Sequence, residues 1–337
     1  MLNSFWFSFN AVMPMLALLA LGRYLHHKGV LQPDVVAQIN HFVFHYPLPV
    51  TLFLSTYGMA GLDDLPLAFV GTALVTTCLL ILLGYGMARL FAQDRSQYGV
   101  IIQCAYRSNY TIIGLALVTA LCGESGAATM VALQLPGVIL FNIAAVTSLT
   151  IFSGDPERRP NAREILKNLA KNPLIQALLL GFLCMVVRGW LPLNDAGEPV
   201  FLMRRDLPFF YESLSMLGRI SSPMLIVCLG AQVEIDPAPG RRKLTALCVA
   251  LRLVVAPVIG FAALLTAQAL GFLTISAPMA ATAVAFFAAP CAINSCVMVA
   301  EIGGDSVLMR QSTAWSNAIS LFTLFLWCAM VHYFWIA

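Results

Sequence analysis

Two apolar stretches of the chain each carry a compact group of polar residues that could bind a small anion. The first group reads Arg-Ser-Asn-Tyr-Thr over Arg107 to Thr111, inside a stretch that is otherwise apolar. The second contains Pro290, with Asn294 and Ser295 about one helical turn further on. A guanidinium beside hydroxyl and amide groups is a set of donors that suits a carboxylate. The two groups together indicate a carboxylate-binding site.

Pro290 predicts that the second stretch is an interrupted helix. Proline has no backbone N–H and collides with the preceding turn, so it frees carbonyl groups that a helix would otherwise bond. Inside a membrane, only protein or cavity water can satisfy such groups. A helix that restarts after a break directs its first amides, with a partial positive charge, towards the gap. The side chains beside the two breaks are therefore predicted to meet a substrate: Ser108, Asn109, Asn294 and Ser295.

The charge of Arg107 permits two interpretations. Arg107 lies ten residues after Gln97, where the apolar stretch begins, and therefore about 15 Å into a membrane helix. A charge at that depth is costly and must face a partner or a cavity. It could be satisfied by freed carbonyls or a neighbouring carboxylate, or it could bind substrate. Arg219 and Arg252 are weaker candidates, which we expect to extend to a membrane interface.

Further polar residues complete the candidate set. Gln134 lies two residues before Pro136, where a helix can deform, so it either contacts substrate or bonds a neighbouring helix. Asn142 is expected to bond a neighbouring helix, whereas Thr51 and Ser55 could reach a substrate from an earlier, proline-containing stretch. The candidate substrate-binding residues are Arg107, Ser108, Asn109, Thr111, Gln134, Pro290, Asn294, Ser295, Thr51 and Ser55.

The remaining reactive side chains do not predict a metal centre or an enzyme. His41 and His45 have the spacing of two ligands on one helix face, but no third ligand has a matching position. The five histidines have no evident carboxylate partner, and no phosphate-binding glycine loop is present. The net charge of +3 is too small to indicate nucleic-acid binding. We therefore expect no metal, no cofactor and no nucleic-acid partner.

The elements that position these residues are membrane helices. The chain has 337 residues, of which 60% are apolar and 10% charged, and its mean hydropathy is +0.84. A soluble domain carries about a quarter charged residues. Apolar stretches of about 20 residues, each enough to span a bilayer, predict an all-α polytopic membrane protein with ten transmembrane helices. They fall at residues 5–25, 35–57, 66–91, 97–121, 126–152, 172–189, 208–233, 244–270, 277–301 and 307–335.

The distribution of positive charge predicts the orientation of these helices. Five basic residues lie in the loop 153–171, from Ser153 to Lys171, and the positive-inside rule places such a loop in the cytoplasm. Alternation of the helices then puts both termini on the non-cytoplasmic side. Met1 to Asn10 lacks the basic region of a signal peptide, so the first apolar stretch is expected to stay as a helix.

The two halves of the chain resemble each other. Pro14 to Gly22 and Pro173 to Gly181 have the same spacing of proline and glycine. This match, with others in the same order, indicates that residues 172–337 repeat residues 1–152. Each half has five predicted helices, an odd number, so the halves must run in opposite directions across the membrane. Breaks in helices four and nine of such a fold point to the substrate site of a transporter.

Several segments resemble those of the auxin efflux carrier family, and together they cover nearly the whole chain. They are PMLALLALGRYL from Pro14, INHFVFHYPLPVTLF from Ile39, RSNYTIIGLAL from Arg107, NPLIQALLLG from Asn172, SPMLIVCLGA from Ser222 and PCAINS from Pro290. The short loop between helices five and six is similar to that of the compact bacterial members. One difference is that no proline stands beside Asn109, where many members carry one.

The resemblance implies an elevator-type transporter of organic anions. It implies that helices four and nine cross at their breaks, that helices 1, 2, 6 and 7 form a scaffold, and that helices 3–5 and 8–10 form a transport domain. It also implies a homodimer through the scaffold, a bacterial inner membrane, and substrates such as malonate or malate. We therefore expect a secondary transporter of a small carboxylate. An anion channel, or a carrier of a larger aromatic or amphipathic carboxylate, is the alternative.

Overall fold

A computed structural model of the chain describes residues 2–58, 65–152, 170–171, 173–192, 199–232 and 241–336. Within these residues every regular element is a helix, and an isolated bridge joins Ser108 to Cys291. The prediction of an all-helical fold is therefore confirmed for the described residues. The predicted cytoplasmic loop, Ser153 to Lys171, lies outside them except for its last two residues.

The helices follow one another without intervening strands in the residues that the structure describes. The first half contains α1 (Leu2–His27), α2 (Pro33–His45), α3 (Pro47–Tyr57), α4 (Leu67–Phe91), α5 (Arg95–Tyr106), a π-helical turn (Tyr110–Gly114) and α6 (Leu115–Phe152). The second half begins with α7 (Pro173–Trp190), α8 (Met203–Asp206), α9 (Pro208–Arg219), α10 (Ser221–Ala231), α11 (Arg242–Ala250), a π-helical turn (Leu251–Val255) and α12 (Ala256–Ala269). It ends with α13 (Ala277–Ala283), a π-helical turn (Val284–Ala288), α14 (Asn294–Ile302), α15 (Ser306–Val331) and a last π-helical turn (His332–Ile336).

Helical structure occupies each of the ten predicted apolar stretches. Among the described residues, five helical segments are individually long and apolar enough to cross a membrane: Leu67–Phe91, Leu115–Phe152, Pro173–Trp190, Pro208–Ala231 and Arg242–Ala269. These segments and the composition make the chain a multi-pass membrane protein. Ten crossings and the inverted relation of the two halves stay predictions.

Proline, glycine and capping residues set several of the helix ends. The second predicted stretch is split at Tyr46, because Pro47 begins a new helix there. Gly123 has φ 62° and ψ −143°, a conformation that side chains disfavour, and it divides α6 into two helical parts. Asp94 and Gln97 form a capping box at the start of α5. The capping box at Asp94 and the kink at Gly123 thus mark the two ends of the segment that carries Arg107.

α1 and α10 cross so closely that only glycine fits at their contact. A Cβ atom on Gly22 would overlap the Val227 carbonyl oxygen, and one on Gly230 would overlap the Leu19 carbonyl oxygen. Small residues at a crossing let the backbones of membrane helices approach, which increases their van der Waals contact. The first helix of the chain is thereby packed tightly against a helix of the second half.

α3 and α7 make a similar crossing at Gly181. A Cβ atom there would lie 2.8 Å from the Phe53 carbonyl oxygen and 2.9 Å from Thr56 Cβ. Gly22 and Gly181 are the matched glycines of the two similar sequence segments, and each lies where its helix packs against the other half of the chain. The repeat itself stays a prediction.

Asp305 connects three helices at the end of the molecule where α5, α11 and α15 begin. Its carboxylate accepts the Leu308 N–H at 3.0 Å, which caps α15, and lies 2.6 Å from Arg241 Nε. Its own N–H donates to the Ser96 carbonyl oxygen at 2.9 Å. These contacts fix the start of α5, whose other end carries the candidate site.

Candidate functional site

The two polar sequence groups lie at two interruptions of helical structure, residues 107–109 and residues 289–293. Pro290 explains the second interruption, since it has no N–H to donate to the Phe286 carbonyl four residues earlier. The Ser108 hydroxyl donates to that carbonyl at 2.6 Å instead. Ser108 therefore satisfies a backbone group that the proline frees, and it joins one break to the other.

Backbone hydrogen bonds also connect the two breaks. The Asn109 N–H donates to the Pro290 carbonyl oxygen at 2.7 Å. The Ala292 N–H donates to the Arg107 carbonyl oxygen at 3.2 Å. This short antiparallel pairing satisfies backbone groups that would otherwise be costly inside a membrane. Two segments from different halves of the chain thus cross at their non-helical residues. We call residues 107–111 and 289–294, which include the first residues of the helical structure that follows each break, the crossing.

A cavity of about 90 Å³ lies beside the crossing. Its polar lining residues come from the crossing and from α6: Arg107, Ser108, Asn109, Tyr110, Thr111, Asn142 and Asn294. Its apolar lining residues are Phe44, Leu48, Val138, Phe141, Leu174 and Ala292. The cavity therefore lies between the crossing with α6 on one side and helices α2, α3 and α7 on the other.

Arg107 supplies the cavity with a positive charge. Its guanidinium donates to the Phe141 carbonyl oxygen at 2.9 Å and to Asn142 Oδ1 at 3.1 Å. The Asn142 amide is held in turn, because its Nδ2 donates to the Val138 carbonyl oxygen at 2.8 Å. Only 6% of Arg107 is exposed. Within the described residues its Nε has no hydrogen-bond partner, and no carboxylate forms an ion pair with it. The contacts fix the guanidinium but leave its charge without a counter-ion there.

Arg252 lies in the π-helical turn that follows α11. Its side chain contacts both segments just before they cross. Its side chain is completely buried and donates to the Ala105 carbonyl oxygen at 3.5 Å and to the Phe287 carbonyl oxygen. Both carbonyls lie in the last turn before a break, where the helix end carries partial negative charge. The expectation that Arg252 extends to a membrane interface is therefore wrong, because these carbonyls provide its partners. Arg219, in contrast, is exposed and lies 3.8 Å from Glu212.

The structure divides the predicted site residues into three groups. Five of them line the cavity: Arg107, Ser108, Asn109, Thr111 and Asn294. Pro290 contributes its carbonyl to the crossing. Gln134 and Ser295 are fully buried near the crossing, but they do not line the cavity. Within the described residues, the side-chain polar atoms of Gln134 and Ser295 have no hydrogen-bond partner.

Thr51 and Ser55 form the third group, which lies on α3 away from the cavity lining. The Thr51 hydroxyl donates to the Gly218 carbonyl oxygen at 2.9 Å and lies 3.1 Å from Ser221 Oγ. It therefore connects α3 to α9 and α10.

Sequence reasoning missed the apolar half of the lining and the role of Asn142 in the site. Asn142 makes the expected bond to another part of the chain, but its partner is Arg107, so it also positions the charge. Phe44 and Leu48 lie next to Tyr46, where α2 and α3 are separated. The histidine–proline interruption in that stretch, His45 to Pro47, is the sequence signal that could have directed attention to these residues.

His41 and His45 stack on each other with ring centroids 4.1 Å apart, and both are exposed. Among the residues that the structure describes, no group of three metal-binding side chains is present. The two histidines therefore have no third ligand within the described part of the chain.

These features define a multi-pass membrane protein whose interrupted helices enclose a small, positively charged cavity at their crossing. The chain matches the family model described as membrane transport protein over residues 7–164 and 159–328, and it therefore belongs to that family. The resemblance to auxin efflux carriers is thereby confirmed. No match to a curated protein was found.

Proposed function

We propose that the protein is a secondary transporter of a small organic anion, and that the cavity at the crossing holds the carboxylate. The observation that carries this proposal is the buried guanidinium of Arg107, which faces a cavity and has no counter-ion among the described residues. Burying an unpaired charge is costly. A site that binds an anion supplies the missing partner when it is loaded.

Neutral donors around the cavity complement this charge. Asn109 lines the cavity, is 95% buried with 5% of its surface exposed, and its Nδ2 has no hydrogen-bond partner in the described residues. Helical structure restarts at Tyr110 and at Asn294, both of which line the cavity. The N-terminal ends of these helices carry partial positive charge, and the Ser295 and Cys296 N–H groups donate to the Ala292 and Ile293 carbonyl oxygens at 3.0 and 2.9 Å. A carboxylate at this position would receive charge-assisted hydrogen bonds from several directions.

The location of the cavity suits an elevator-type mechanism. One wall comes from α2, α3 and α7, which belong to the predicted scaffold, and the other comes from the crossing and α6, which belong to the predicted transport domain. In this proposal the crossing carries its bound anion as the transport domain slides past the scaffold. A homodimer through the scaffold, a bacterial inner membrane and external termini complete the proposed arrangement.

An anion channel is the competing function, since half-helices can also line a pore. Purified protein in liposomes distinguishes the two. A carrier should show saturable uptake of labelled malonate or malate, and unlabelled substrate inside the vesicles should accelerate uptake by exchange. Current or flux that rises linearly with concentration, without exchange, would support the channel instead. Absence of uptake for a panel of small carboxylates would contradict the proposed substrate class.

A further inference from the structure

The two walls of the cavity differ in polarity. The three residues that α2, α3 and α7 contribute are Phe44, Leu48 and Leu174, and all are apolar. The polar lining residues all come from the crossing and from α6. A ligand in the cavity therefore meets only hydrocarbon at the wall from α2, α3 and α7, and all of the polar groups at the opposite wall, which also contains Val138, Phe141 and Ala292.

The cavity offers one full positive charge. Arg107 is the single charged residue among those that the structure places in the lining. The buried arginine beside the crossing, Arg252, does not line the cavity, and it donates to the Ala105 and Phe287 carbonyls. A second carboxylate on the ligand would therefore find no second positive charge in the described lining, and against the apolar wall it would lose its water without a new partner, which is unfavourable.

The size of the cavity limits the ligand further. At about 90 Å³ it is well below the roughly 300–1,000 Å³ of pockets for drug-sized ligands. This volume suits a carboxylate with a short tail better than one with a bulky ring system. The apolar wall would gain from covering such a tail, because burying hydrocarbon is favourable.

We propose that the site selects short aliphatic monocarboxylates over dicarboxylates of similar size. This inference rests on the proposed function, and it reverses the preference that malonate or malate as substrate would require. The carboxylate binds at Arg107 and Asn109, and the tail packs against Phe44, Leu48 and Leu174. These three apolar residues are the specificity-determining residues, since they contact the part of the ligand in which the two substrate classes differ.

Phe44 offers a direct way to test the apolar wall. It is half-buried in the lining, and the long flexible stem of a lysine at this position would let its ammonium extend out of the apolar surroundings. Phe44→Lys would provide a second positive charge for a second carboxylate. Phe44→Leu is the matched control, because it changes the side chain at the same position and keeps it apolar.

The experiment compares butyrate with malonate at mildly alkaline pH, where butyrate has one charge and malonate two. Thermal stabilisation of the purified protein in detergent reports binding, and uptake into proteoliposomes, corrected with protein-free vesicles, reports transport. For the wild type we expect butyrate to act at concentrations about tenfold lower than malonate. Phe44→Leu should keep this order, and Phe44→Lys should reverse it. Butyramide, which has the tail without the charge, should not stabilise the protein.

A second variant keeps the proposal testable if Phe44→Lys does not fold. Leu174→Ala enlarges the cavity at the apolar wall and should shift the preference from butyrate to the longer hexanoate. Tighter binding of malonate than butyrate by the wild type would overturn the inference, as would an unchanged order in a folded Phe44→Lys protein. Neither of these results would contradict transport of small carboxylates. If no carboxylate binds or is transported, the proposed function fails instead.

Discussion

Arg107 is held by neutral oxygen atoms, so its charge is available to a bound anion. We expect Arg107→Gln to weaken substrate binding without unfolding the protein. A charge-assisted hydrogen bond is worth about 1.5–3 kcal/mol, which corresponds to a rise in half-saturation concentration of about 10- to 100-fold. The measurement is concentration-dependent uptake of the best-transported carboxylate into proteoliposomes that contain equal amounts of each variant.

Two neutral donors provide the control for that experiment. Asn109→Ala and Asn294→Ala each remove one uncharged side chain from the lining. Each should cost about 1 kcal/mol, or roughly fivefold in half-saturation concentration. Wild-type kinetics for a folded Arg107→Gln protein would show that this arginine only supports the structure.

Arg252 is expected to act on stability more than on affinity. Arg252→Met would leave the Ala105 and Phe287 carbonyls without their present side-chain donor, at a cost of about 1–3 kcal/mol for each buried group. Thermal unfolding in detergent should therefore occur at a lower temperature. Arg219→Met, which changes an exposed arginine, should leave the unfolding temperature nearly unchanged. A fully stable Arg252→Met protein would contradict a supporting role for this side chain.

For individual residues, the sequence showed that a buried charge would be costly, but it did not show which way the charged side chain faces. Arg107 was recognisable as a candidate site residue because a cation in an apolar stretch needs a partner, and the structure places it in the cavity lining. The same reasoning could not place Arg252, since position along a helix does not show which side faces the protein. Its partners, the carbonyls of Ala105 and Phe287, come from two other helical segments and become neighbours only in the folded chain.

Close helix crossings give a prediction for individual helices. A methyl group on Gly22 would overlap the backbone of α10, so Gly22→Ala should force α1 and α10 apart. Overpacking of this kind costs about 1–3 kcal/mol. Gly86 on α4 is the control, because a Cβ atom there meets nothing within 4 Å and alanine is the better helix former. Unfolding temperature should fall for Gly22→Ala and stay equal or rise for Gly86→Ala; equal effects would contradict the crossing.

Prolines explain several helix interruptions, but their partners were not predictable. Pro290 frees the Phe286 carbonyl, which Ser108 binds. Pro257 has the same relation to the Leu253 carbonyl, and the Trp327 indole donates to it at 3.4 Å. The sequence shows where a proline removes a donor. It does not show which distant side chain replaces that donor, because this depends on how the helices pack.

Orientation in the membrane is a prediction for the whole molecule. Lys28 lies in the predicted cytoplasmic turn after α1, Phe272 lies in the predicted external turn after α12, and both side chains are exposed. In a protein without native cysteines, a membrane-impermeant maleimide added to intact cells should label Phe272→Cys and not Lys28→Cys. Permeabilised cells should show labelling of both. The opposite pattern in intact cells would reverse the proposed topology.

Hydropathy was sufficient to predict a multi-pass helical protein and the approximate limits of its helices. It could not predict which helices are neighbours, because every apolar helix is equally soluble in lipid. Contacts such as Gly22 with Val227 depend on the shapes of particular surfaces, and the apolar wall at Phe44 and Leu48 depends on the position of α2 and α3 beside the crossing.

The crossing also has a consequence for biogenesis. Asn109 and Pro290 are 181 positions apart in the chain (290 − 109), so the ribosome completes the first partner long before the second. Until the later segment enters the membrane, the Asn109 N–H and the Arg107 carbonyl lack their partners in a medium without water. A fragment of residues 1–152 should therefore be degraded rapidly in cells, and co-expression of residues 172–337 should lengthen its half-life in a pulse-chase experiment. If the first fragment alone were long-lived, its Asn109 N–H and Arg107 carbonyl would have to bond other groups in the absence of the second half.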